Sequence, residues 1–142
     1  MTTRKRDLWT NPAVVCALLV AGALTLAVGC GTHDSSVYGT VTLDGKRLTT
    51  GTVTFHPTGE GAAAYGRIGA DGSYRLHTGA EQGLAAGEYI VTVVATAPPP
   101  DPHSEVVGKL LTPARYGRLD QTDLRFTIEP GKKQIDLALQ TK

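Results

Sequence analysis

The sequence predicts an all-β protein, a single sandwich of about seven strands preceded by an apolar helical segment that stands outside it. Three observations carry this reading. Apolar and polar residues alternate with a period of two in short stretches, the pattern of strands with one buried face. Turn residues punctuate those stretches at roughly 8–12-residue intervals, and Gly (17) and Pro (8) are abundant for a chain of 142 residues, which is ordinary for a turn-rich β protein and high for a helical one. No amphipathic stripe of globular-helix length occurs after residue 29. The 142-residue chain, less residues 1–29, suits one domain and not two.

The elements follow in order. Val37, Gly39, Val41 and Leu43 point to one side and Tyr38, Thr40 and Thr42 to the other, so 37–43 reads as a half-buried strand. Asp44-Gly45 is a tight turn. A second strand spans 51–56, with Val53 and Phe55 inward and Pro57 ending it; 58–64 is a flexible loop. Segments 65–68 and 73–77 flank Gly69-Ala70-Asp71-Gly72 and read as a hairpin anchored by Ile68, Tyr74 and Leu76. After a loop at 78–86, the stretch 87–95 is the strongest strand. Tyr89, Val91, Val93 and Ala95 form one face and Ile90 and Val94 add apolar groups to the other, which predicts a central position. Tyr89 is expected to cap the core with its hydroxyl in water. Pro98, Pro99, Pro100 and Pro102 stop this strand in an extended connection. A short helical turn is expected at 105–111 and an extended edge at 113–116. Leu124, Phe126 and Ile128 are the inward face of the next strand, Pro130-Gly131 is a turn carrying Lys132 and Lys133, and Ile135, Leu137 and Leu139 complete the last strand.

Ahead of the sandwich, Arg4-Lys5-Arg6 precedes a stretch without charge from Leu8 to Thr32, nearly all apolar between Ala13 and Val28. A basic start, an apolar run and small residues before a cut site make a secretory signal peptide, its positive end cytoplasmic. The run ends Leu26-Ala27-Val28-Gly29-Cys30, which resembles the lipobox of bacterial lipoproteins, with Leu one position early. The resemblance implies cleavage between Gly29 and Cys30, a diacylglyceryl group on the Cys30 thiol and an acylated new N-terminus. Residues 1–29 are then the signal peptide, 30–36 the lipidated cysteine and tether, and 37–142 the folded domain. Cys16 lies inside the leader, so the mature chain has neither free thiol nor disulfide. The resemblance places the domain in the cell envelope, facing the periplasm or the exterior, and Gly31 in place of Asp favours the outer membrane. The alternative is an uncleaved transmembrane helix, for which the uncharged span is long enough.

Within the domain, Gly39-Thr-Val-Thr-Leu-Asp-Gly45, Gly51-Thr-Val-Thr-Phe-His-Pro57, Asp71-Gly-Ser-Tyr74 and Gly87-Glu-Tyr-Ile-Val91 follow one another. This order is similar to the carboxypeptidase-regulatory-like domain, an Ig-like, transthyretin-like sandwich. Pro113-Ala-Arg-Tyr116 and Leu124-Arg-Phe-Thr-Ile128-Glu-Pro-Gly131 resemble the closing half of short bacterial lipoproteins that carry it. The likeness spans roughly 36–139 and implies a non-catalytic binding or structural module. Transthyretin-like hydrolases of purine degradation end in Tyr-Arg-Gly-Ser, whereas this chain ends Leu137-Ala-Leu-Gln-Thr-Lys142, which argues against that enzyme. An envelope scaffold subunit is a further alternative.

No residue pattern carries catalytic or cofactor chemistry. His33, His56, His77 and His103 lack metal-ligand spacing. Asp101, Asp120 and Asp123 lack the spacing of a calcium loop. Gly59-x-Gly61 lacks the Lys-Ser/Thr of a phosphate loop, and no serine sits in a Gly-x-Ser-x-Gly elbow. Neither metal nor other cofactor is expected. Net charge is +1 for the whole chain, and −1 once Arg4, Lys5, Arg6 and Asp7 are set aside; a near-neutral domain is a poor nucleic-acid binder. The expected partners are a membrane, through the lipid, and an envelope protein or polysaccharide. Loops at 78–86 and 97–123 are the expected working surface, with Arg115, Tyr116 and Arg118 as contact group. A sheet edge that accepts an extended peptide is the other expectation.

Overall fold

The computed structural model describes residues 33–103 and 105–142. The expected signal peptide, Gly29 and Cys30 lie outside the described residues. The described chain is an all-β sandwich of two sheets, as its alternation predicts.

The first sheet is built on β1 (Ser35–Leu43), which alternates buried and open positions along its length. Its first two residues belong to the strand, and the Ser35 hydroxyl donates to the Glu129 carbonyl (3.0 Å). The sandwich thus begins two residues before the expected start of the folded domain at residue 37. Asp44 (φ 49°) and Gly45 (φ 81°) both adopt left-handed backbone, the type I′ geometry whose twist matches a two-residue hairpin, and lead into β2 (Lys46–Arg47), antiparallel to the end of β1.

Next, β3 (Thr52–Pro57) buries Val53 and Phe55 in the second sheet and pairs with β4 (Ala64–Arg67). The Gly69–Gly72 turn closes as predicted, with Gly69 N–H donating to Ser73 O (2.8 Å). Its two arms do not form a hairpin. β5 (Ser73–Arg75) crosses to the first sheet and pairs with β1. Leu76, fully buried, marks the switch, and β6 (His77–Thr78) returns to pair with β4. The corner forms because Tyr74 and Leu76 both bury in the core from a strand that serves two sheets. β7 (Glu81–Gln82) then folds back on β6 within the expected loop.

β8 (Gly87–Val94) is central, as its two apolar faces predict, lying between β3 and β9 (Arg125–Ile128). The expected helical turn at 105–111 is instead extended, tied back by an antiparallel bridge between Thr96 and Leu110. The expected edge at 113–116 is a 3₁₀ turn, Ala114–Gly117. After β9 the chain crosses to the first sheet. There β10 (Gly131–Gln134) and β11 (Leu137–Leu139) run parallel to β1 in one continuous register, so Lys132 and Lys133 sit on a strand and not on a turn. Between them Ile135 and Asp136 interrupt the pairing. The Asp136 carboxylate receives Thr40 N–H (2.9 Å) and the Thr40 hydroxyl (3.0 Å).

The core fills the space between the sheets. Val37, Val41, Leu76, Leu137 and Leu139 come from one side and Val53, Phe55, Val91, Val93 and Ile128 from the other. The Phe55 ring packs on Tyr89 (6.0 Å between centroids) and Phe126 (6.1 Å), and each such side chain contributes about 1.5–3 kcal/mol when fully buried.

Candidate functional site

The described chain enters the sandwich at His33. Ser35 and Leu84 exchange backbone hydrogen bonds (3.2 and 2.9 Å), and Gly131 N–H donates to Asp34 O (2.9 Å). This end also carries the 57–62 loop and the approach to β8. Together they line a cleft of about 300 Å³ whose walls include His33, Thr58, Glu60, Glu88 and Tyr89. The Tyr89 ring is buried there, but its hydroxyl is not left to water: it donates to the Ala85 carbonyl (2.8 Å). Burial raises the Tyr89 phenol above its usual range.

Arg115, Tyr116 and Arg118 do not form one open contact group. Tyr116 is only 3 % exposed and closes the opposite end of the core. Its hydroxyl accepts hydrogen bonds from Gln140 N–H (3.1 Å) and the Arg115 guanidinium (3.0 Å). Arg115 lies over the Tyr116 ring (4.8 Å) and donates to the carbonyls of Gln140 (2.6 Å) and Lys142 (2.9 Å). These two side chains clamp the last described residues, a role that neither Arg nor Tyr in a loop announces. Arg118 is exposed and paired with Asp120 (3.4 Å).

Other titratable groups serve locally. His56 Nε2 meets the Thr92 hydroxyl (3.0 Å), and partial burial lowers its pKa. His33 stands 3.8 Å from Glu81, and Asp101 accepts from His103 N–H (2.9 Å). Register places His56 opposite Ile90 and His77 opposite Tyr65. Among the described residues no group of three His, Cys, Asp or Glu side chains is arranged to hold a metal ion.

A different surface emerges at the corner of the sandwich. Tyr38, on the outward side of β1, is 38 % exposed. Its direct neighbours in the first sheet are Arg75 on β5 and Gln134 on β10. β4 and β5 approach closely at Gly66, where the Arg75 carbonyl takes the room a side chain would need. Arg67 on β4 and Arg75 on β5, with Tyr38, Gly69, Ser73 and Tyr74, line a shallow cleft of about 340 Å³ at this approach. Sequence reasoning missed it, since an arginine on a strand's open face reads as solvated surface. The one available signal was Tyr38, an aromatic at an outward position of the alternation.

Fold and surface together define a β-sandwich protein with a polar, arginine-bearing face. The chain matches no family model, and no curated protein matches it.

Proposed function

We propose that this protein is a lipid-anchored, extracytoplasmic lipoprotein whose sandwich is a non-catalytic binding or structural module. One observation carries the reading: Leu26-Ala27-Val28-Gly29-Cys30 closes an apolar leader, and a self-contained sandwich starts five residues later, at Ser35. A thioether-linked diacylglyceryl group on Cys30 holds the chain to a membrane. Each buried lipid CH₂ contributes about 0.8 kcal/mol, and several acyl chains on one residue make the anchoring stable. At about 3.5 Å per extended residue, the link from Cys30 to Ser35 keeps the Ser35 end of the sandwich near the bilayer. The 44–45 turn, the 69–72 turn and the loops after β8 then face away from it.

Thr112, Arg115 and Thr122 support the structural side of this reading, because their side chains are spent on the domain's own main chain. Thr122 donates to Val91 O (2.8 Å), Thr112 accepts from Ala95 N–H (3.2 Å), and Arg115 holds Gln140 and Lys142. The test is fatty-acid labelling with membrane fractionation of the wild type and Cys30→Ser. The reading requires that label and membrane retention both vanish in the variant. A variant that stays in the membrane, beside a wild type that never takes label, makes the apolar run a transmembrane helix and overturns it.

A further inference from the structure

We infer that the cleft formed by Tyr38, Arg67 and Arg75 binds an anionic polysaccharide, with a sugar ring on the tyrosine and an acid group on the two arginines. The inference rests on the reading of the domain as a binding module and names its ligand class.

Charge is the first argument. Among the described residues, neither the Arg67 nor the Arg75 side chain has an ion pair or hydrogen bond. The acids nearest this face are already engaged. Asp71 accepts from the Ser73 hydroxyl (2.7 Å) and Ser73 N–H (3.1 Å), and Asp136 from Thr40 and from the Gln134 amide (3.1 Å). Arg47 adds a cation beside both carboxylates. Two guanidinium forks are left to receive a ligand carboxylate or sulfate, which they match in planar, two-pronged geometry.

Shape and chemistry decide between ligand classes. The site lies on the face of the sheet, where the β1 backbone is consumed by pairing on both edges. Recognition at the Tyr38 ring therefore falls to side chains, the free edges of this sheet belonging to β5 on one side and to β10 and β11 on the other. Tyr38 offers a half-open ring with an apolar face and a polar tip. Ser36, Thr40 and Gln134 are its polar neighbours; the Thr40 hydroxyl and the Gln134 amide nitrogen already donate to Asp136, which leaves the Ser36 hydroxyl proton and the Gln134 carbonyl oxygen for sugar hydroxyls. Lys132 stands opposite Ser36 in the next row. With strands about 4.8 Å apart and about 3.4 Å per residue along them, Arg75 and Lys132 lie roughly 12 Å apart across Tyr38. Cations on both sides of an aromatic platform fit a polymer with recurring acid groups better than a single small anion.

The experiment is isothermal titration of the full-length protein in detergent with polygalacturonate, dextran and poly-glutamate. Binding of polygalacturonate without binding of dextran is expected. The Arg67→Ala/Arg75→Ala variant and the Tyr38→Ala variant should each lower affinity at least tenfold with unchanged thermal melting, since all three side chains are peripheral to the core. Arg125→Ala, which removes an exposed arginine on β9, three strands away from the β4 strand of Arg67, should leave affinity unchanged. Failure of the wild type to bind polygalacturonate overturns the inference, as does equal affinity for poly-glutamate or an equal loss in Arg125→Ala. Absent binding with Cys30 still labelled refutes this site and leaves the anchor. Binding by a protein that never takes label supports the site and refutes the anchor.

Discussion

Gly39 stands at the centre of β1, and a side chain there would overlap the Ile135 carbonyl, a backbone group in the break between β10 and β11. Gly39→Ala must therefore push two strands apart and should lower stability by about 3 kcal/mol in urea unfolding; a loss below about 1 kcal/mol would mean the break yields easily. The same carbonyl accepts the buried Tyr74 hydroxyl (2.7 Å). Burial, aided by the charge on Asp136, raises the Tyr74 phenol well above its ordinary 10.0. The folded state thus holds this proton more tightly than the unfolded chain does. Its contribution is complete below pH 10 and is lost as pH rises beyond it. Tyr74→Phe should cost about 1–2 kcal/mol at pH 7 and make the alkaline fall in stability shallower; equal slopes in wild type and variant would contradict this. Tyr74 was legible as a core anchor, but its hydroxyl partner was not, because Ile135 is 61 residues away in sequence.

Among the elements, β8 shows how a strand edge is completed without a full partner strand. β9 pairs only with its first half. Beyond that, Val91 N–H donates to Leu124 O (2.8 Å), the Thr122 hydroxyl donates to Val91 O (2.8 Å), and the Thr112 hydroxyl accepts from Ala95 N–H (3.2 Å). Thr122→Val keeps the shape and leaves Val91 O and Leu124 N–H without the hydroxyl. A loss of about 1–3 kcal/mol is expected, read as a lowered urea midpoint with an unchanged slope; an unaltered midpoint would mean that water replaces the hydroxyl. β1, β3 and β8 were legible because alternation reports burial, and burial set their places. β10 was not, since Gly131-Lys-Lys-Gln134 is exposed throughout and forms a strand only through parallel pairing with β1. The 105–111 segment reads as helical locally, yet the Thr96–Leu110 bridge draws it extended. Tyr116 became core because its ring closes one end of the sandwich and its hydroxyl finds main-chain and guanidinium partners.

At the scale of the whole molecule, the sandwich is entered from Ser35 and the Tyr38 face lies along its side, between the Ser35 end and the end that Tyr116 closes. A short tether makes that geometry matter. On the proposed anchoring at Cys30, the Ser35 end would be held at the lipid, with the face carrying Arg67, Arg75 and Lys132 open to a polymer lying alongside the membrane. The proposed anchoring depends on where the mature chain begins and what Cys30 carries. The most direct measurement is the intact mass of the full-length gene product extracted from membranes, with fragmentation of its N-terminus. The expected product is a chain that starts at Cys30 and carries the added mass of a diacylglyceryl group on that residue. A chain that retains residues before Gly29, or starts at Cys30 without lipid, would contradict it.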